Sequence, residues 1–69
     1  MQVGDLVRLS AYGNKVKTNY RYIRPSHLGI IVVLEDELLT DFPFQVNWMH
    51  LPFGEKWMHS RKDLKHARR

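Results

Sequence analysis

Four short apolar segments, in a fixed order and separated by turn signals, constrain the fold of this chain more than anything else in it. Val3-Gly4-Asp5-Leu6-Val7-Arg8-Leu9 comes first, Gly29-Ile30-Ile31-Val32-Val33-Leu34 second and Phe44-Gln45-Val46-Asn47-Trp48-Met49 third. The last runs from Lys56-Trp57-Met58-His59 through Ser60-Arg61-Lys62-Asp63-Leu64. Each has the length and the β-branched or aromatic content of a strand. Together they predict an all-β domain spanning residues 1–69. Its form is a small antiparallel barrel of five short strands, with one helical turn before the last.

The first strand is entered through a Gly4-Asp5 turn. Ser10 to His27 follows as a long loop marked by Gly13, Asn14, Asn19 and Pro25, with no sustained periodicity. A connection of that length is functional or mobile more often than not. Val16, Tyr20, Tyr22 and Ile23 would let it fold back as an irregular hairpin. The Leu28–Leu34 run is apolar on both sides, which predicts a strand covered on both faces. Phe44, Val46 and Trp48 alternate with Gln45, Asn47 and Met49, the pattern of a half-buried strand. His50-Leu51-Pro52-Phe53-Gly54 then reads as a turn.

The triplet Trp48-Met49-His50 recurs as Trp57-Met58-His59. A hairpin turning around Pro52 and Phe53 would set Trp48 opposite Trp57, a pairing worth roughly 0.2–1 kcal/mol. Ser60-Arg61-Lys62-Asp63 has the form of a capping box, with Ser60 accepting from the Asp63 amide and Asp63 reaching back. The expected core is Val7, Ile31, Val33, Val46, Trp48, Trp57 and Leu64.

A chain of 69 residues buries only about 60% of its unfolded surface. It contains no cysteine, which removes disulfides and thiolate zinc sites. Met1-Gln2-Val3-Gly4-Asp5 has no basic-then-apolar leader, and the Leu28–Leu34 run is far short of the roughly 20 residues of a membrane span. The expectation is a cytoplasmic domain with no membrane partner. The net charge of +4 is unevenly spread. Between Asp5 and Glu35 the chain carries Arg8, Lys15, Lys17, Arg21 and Arg24 and no acid. Its end carries Arg61, Lys62, Lys65, Arg68 and Arg69, whereas Glu35, Asp36, Glu37 and Asp41 concentrate the acid in one turn. A basic pole of this kind attracts phosphates and acidic proteins alike.

The order of motifs resembles SH3-like barrels of the KOW and Tudor type. Val3-Gly4-Asp5-Leu6-Val7 is similar to their opening strand, Gly29-Ile30-Ile31-Val32 to the second and Val46-Asn47-Trp48 to the third. Trp57 to Leu64 is similar to the fourth strand and the helical turn. The chain also resembles small SH3-like proteins of tailed phages of marine bacteria, and the likeness extends over nearly all of it. The resemblance implies a binding module for peptides, nucleic acids or other proteins, in a host cytoplasm if phage-encoded. Fold alone does not choose among these. The basic, acid-free first loop argues against the proline-peptide groove of signalling domains. A methyl-lysine cage would need several of Tyr12, Tyr20, Tyr22, Phe42 and Phe44 to converge.

The best functional candidate is the first loop, where Lys15, Lys17, Arg21 and Arg24 are interleaved with Tyr20 and Tyr22. Cationic side chains neutralise phosphates and aromatic faces stack on exposed bases. Arg61, Lys62, Lys65, Arg68 and Arg69 would extend that nucleic-acid surface. The alternative is a solvated loop whose tyrosines pack on the barrel. Leu38 and Leu39 inside the acidic turn either tuck beneath it or mark a protein-interaction or self-association site. Four histidines raise the question of a metal, but the proposed hairpin offsets His50 from His59 by roughly 13 Å. No metal or other cofactor is expected. Ser10, Ser26 and Ser60 lack a nucleophile setting, and Glu35, Asp36 and Glu37 are adjacent in a turn. The expected class is therefore a binding module and not an enzyme.

Overall fold

The computed structural model describes residues 1–16, 19, 21–52 and 54–67. One antiparallel sheet holds β1 (Leu6–Leu9), β2 (Gly29–Leu34), β3 (Phe44–Trp48), β4 (Trp57–His59) and β5 (Leu64–His66). Its strand order is β4-β3-β2-β1-β5, with β4 and β5 at the two edges. A 3-10 turn, Arg61–Asp63, links these edge strands, and a short helix, α1 (Ala11–Lys15), follows β1. Among the described residues no helix is long and apolar enough to cross a membrane.

Alternation explains which side chains are buried. Val7 and Leu9 of β1, Ile31 of β2, Phe44, Val46 and Trp48 of β3, and Leu64 of β5 all point to one side and form the core with Ile23. Gly29 stands opposite Trp48, and a Cβ there would lie 2.9 Å from the indole Cε3. The absent side chain is what seats the Trp48 ring.

Three departures from the sequence reading have local causes. A β-bulge between Ile31 and Val33 leaves Val32 unpaired and sets Val33 opposite Gln45. The extra residue reverses the inward-outward alternation. Val33 is thereby moved out of the core to 39% exposure, and Val32 and Leu34 are exposed beside it. The strand expected to be covered on both faces is covered on one.

The β3–β4 hairpin is the second departure. It pairs Val46 with Trp57 and Phe44 with His59, so Trp48 does not face Trp57. The register differs from the expected one by two residues, which preserves each residue's face. Trp57 only packs against the edge of the core. Phe44 and Leu9, absent from the expected core, are fully inside it.

The third departure is the first loop, which opens with the helix α1 where an irregular hairpin was expected. Ser10 caps α1, its Oγ accepting from Gly13 N (3.0 Å) and donating to the Lys62 carbonyl. Gly13 is a packing position. A side chain there would run into the Asp63 backbone, so α1 can lie directly on the 3-10 turn. Buried Asn19 donates from Nδ2 to the Gly13 carbonyl (3.0 Å), and its own carbonyl accepts from Tyr22 N and Ile23 N. That chain of bonds drives Ile23 into the core.

The 3-10 turn is held by a buried polar relay and not by a capping box. Ser60 makes no side-chain cap bond. The Asp63 carboxylate turns inward to His59, with Oδ2 3.3 Å from Nδ1. Trp48 Nε1 donates to His59 Nε2 at 3.1 Å. An indole N–H can only donate, so Nε2 carries the lone pair and the imidazole proton sits on Nδ1, facing Asp63. Trp48, His59 and Asp63 are all buried. Burial holds the His59 pKa below the usual histidine value, and the bond and charge of Asp63 pull only partly the other way.

Candidate nucleic-acid interface

The residues after Asn19 lie against the far end of the β3–β4 hairpin, fastened by ring contacts. The Tyr22 and Trp57 rings stand 5.6 Å apart with a 59° tilt. The His27 and His50 rings stack at 3.6 Å. Backbone contacts lock that stack. Arg24 N donates to His27 Nδ1 (2.9 Å), and His50 Nε2 donates to the Tyr22 carbonyl (2.9 Å). His27 thus accepts through Nδ1 and His50 donates through Nε2. Desolvation by the stack lowers the His27 pKa, helped by the charges of His50 and Arg24. Trp57 Nε1 donates to Glu55 (2.9 Å), which fixes the indole plane.

This fastening leaves Tyr22 at 55% exposure, flanked in sequence by exposed Arg21 and nearby exposed Arg24. Lys15 is exposed at the end of α1. Lys17 and Tyr20, together with Phe53 of the β3–β4 turn and the terminal Arg68 and Arg69, lie outside the described residues. Among the described residues the side chains of Lys15, Arg21 and Arg24 make no hydrogen bond or ion pair, and cations together with a half-exposed phenol ring are the groups that contact phosphates and bases.

Arg61 and Lys62 lie on the 3-10 turn, against α1. Arg61 pairs with Glu37 at 2.9 Å across exposed side chains. With Lys62 it lines a groove of about 510 Å³ whose walls include Tyr12, Phe42 and Pro43, with Glu37 and Asp41 on the same rim. The acidic turn therefore neutralises part of the C-terminal basic set. Phe44 is in the core, Tyr12 and Phe42 line this groove, and Tyr22 lies on Trp57. The described aromatics do not converge as a cage.

Leu38 and Leu39 occupy the tip of the β2–β3 connection and are 92% and 84% exposed. The turn is set by Asp36, whose Oδ1 accepts from Leu38 N (2.9 Å). Among the described residues no three His, Asp or Glu side chains are placed to share a metal ion. Sequence reasoning missed the His27–His50 stack and the role of Trp57 in seating Tyr22. The spacing carries no signal for either, because both depend on where the first loop docks. Comparison with family models, curated proteins and solved structures finds no match for this chain.

Proposed function

We propose that this chain is a non-catalytic SH3-like barrel module that binds single-stranded nucleic acid through Arg21, Tyr22 and Arg24, with Trp57 as the floor beneath Tyr22. The strand order and the 3-10 turn joining the edge strands support the barrel reading. The observation that carries the binding reading is the half-exposed Tyr22 ring, braced on Trp57 and accompanied by two exposed guanidinium groups. A braced aromatic ring stacks on a base without a large ordering cost, and sequence-tolerant stacking of this kind is worth about 1–3 kcal/mol per base.

The test is fluorescence anisotropy of labelled single-stranded DNA, duplex DNA and RNA at low and moderate salt. Saturable binding that weakens steeply with salt is expected, with single strands preferred and Tyr22→Ala losing affinity by about tenfold or more. Absence of binding to all three would overturn the reading. A second reading, a protein-interaction or self-association module, rests on the exposure of Leu38 and Leu39. It predicts a sedimentation coefficient that rises with concentration and ceases to do so in Leu38→Ser/Leu39→Ser.

A further inference from the structure

Arg8 and Lys65 stand directly opposite each other in the antiparallel β1–β5 pair. Their neighbours Val7, Leu9 and Leu64 are buried, so alternation sends both cations to the outer face of the sheet. Like charges in cross-strand register repel, and no ion pair among the described residues offsets this pair. The ion pairs among the described residues are His59–Asp63, Arg61–Glu37 and His66–Asp5. Asp5, the acid closest to Arg8 in sequence, is already bonded to Gln2 N (2.8 Å) and to His66 Nε2 (3.1 Å). The remaining acids are similarly placed elsewhere. Glu37 is on Arg61, Glu55 on Trp57 and Asp63 on His59, while Glu35, Asp36 and Asp41 lie in the β2–β3 connection.

A second observation concerns the same residue. Arg8 Nε is buried with no hydrogen-bond partner, the one such side-chain atom among the described residues. A guanidinium has no acceptor capacity and cannot shed its proton, so the buried Nε–H calls for a water or an anion as its acceptor. An exposed ammonium sits across from it on Lys65.

We infer that Arg8 and Lys65 form a seat for a phosphate group on the outer face of β1 and β5. Resting on the nucleic-acid reading above, the group is a backbone phosphodiester of the bound strand. The guanidinium donates to phosphate oxygens from one strand, and the ammonium supplies a point charge from the other. The phosphate thereby converts a repulsive pair into an attractive triad.

Two measurements test the seat separately from that reading. The first is the melting temperature of the wild type, Arg8→Gln and Lys65→Gln in inorganic phosphate and in chloride at equal ionic strength. Phosphate is expected to raise the melting temperature of the wild type and not that of the variants. Lys65→Gln, an exposed change that removes repulsion, is expected to melt no lower than wild type in chloride. The second is anisotropy of a labelled oligothymidylate. Each substitution is expected to lower affinity about threefold to tenfold and to reduce the salt slope by about one. A phosphate effect without oligonucleotide binding would keep the seat and overturn the nucleic-acid reading. Oligonucleotide binding that needs Tyr22 but is unchanged in affinity and slope by both substitutions, with no specific phosphate effect, would overturn the seat.

Discussion

Acidification from pH 7 to pH 5.5 is expected to remove about 1 kcal/mol of stability through His59 alone. The reasoning starts from the relay. Trp48 donates into Nε2 of His59, so a second proton on that ring would face an N–H with no lone pair. Burial adds a desolvation cost for the imidazolium, and Asp63 offsets only part of it. The folded pKa is therefore depressed below the unfolded value of about 6.5. A depressed pKa means that the unfolded chain binds a proton the native state refuses. Stability is then complete above about pH 6.5 and declines as pH falls below it, with a limiting slope of about 1.4 kcal/mol per pH unit. Integrating one such site from pH 7 to 5.5, with His59 neutral in the fold, gives a limit of about 1 kcal/mol.

A domain of this size has only about 3–5 kcal/mol in total, so the effect is large. It corresponds to a urea midpoint shift of about 1 M at the slope expected for a small domain. The assay is urea unfolding of the wild type and His59→Gln at the two pH values. Gln keeps an acceptor for Trp48 but does not titrate, and its pH dependence is expected to be flatter by the amount calculated. His27 acts in the same direction in both proteins, because its pKa is also lowered, and so cancels in the difference. Asp5, whose pKa is lowered by the Gln2 amide and His66, keeps its full stabilising contribution throughout pH 5.5–7 and loses it only as the pH falls below about 4. Identical pH dependence in the two proteins would refute the argument. So would a nitrogen NMR spectrum placing the neutral His59 proton on Nε2.

Further outcomes follow from the packing and the surface. Gly29→Ala is expected to destabilise by about 1–3 kcal/mol, read from tryptophan fluorescence in denaturant, because the new methyl meets the Trp48 ring. Leu38→Ser and Leu39→Ser are expected to change unfolding stability by less than about 0.5 kcal/mol, since both side chains are almost fully in water. Glu37→Gln removes an ion pair whose side chains are 51% and 70% exposed, and a double-mutant cycle with Arg61→Gln is expected to return about 0.2–1 kcal/mol.

The strands were legible because their cue is local. The period-two pattern of Phe44, Val46 and Trp48 and the β-branched run from Gly29 need no knowledge of partners. What sequence could not supply was register. The bulge at Val32 and the two-residue shift of the β3–β4 hairpin are invisible to alternation, yet they decide that Val33 is outside and that His59 faces Phe44. The candidate site depended on a second non-local fact. Tyr22, Arg21 and Arg24 were recognisable by type, but their bracing on Trp57 and His50 required knowing where the first loop docks. Ser60 and Asp63 matched a capping motif by spacing, and a buried imidazole one residue earlier outcompeted it for the carboxylate.

The pairing of β1 with β5 also sets a timetable. Val7 stands opposite His66 and Leu9 opposite Leu64, partners roughly 55–59 residues apart along the chain. Closing so long a loop is entropically late, and sheets dominated by such pairings are slow to nucleate. During synthesis the hairpin of β2, β3 and β4 can collapse early. β1 can pair with β2 as soon as both are made, but its other edge must wait until Leu64–His66 has left the ribosome. Until then β1 presents an unpaired edge at which the nascent chain is open to misassociation.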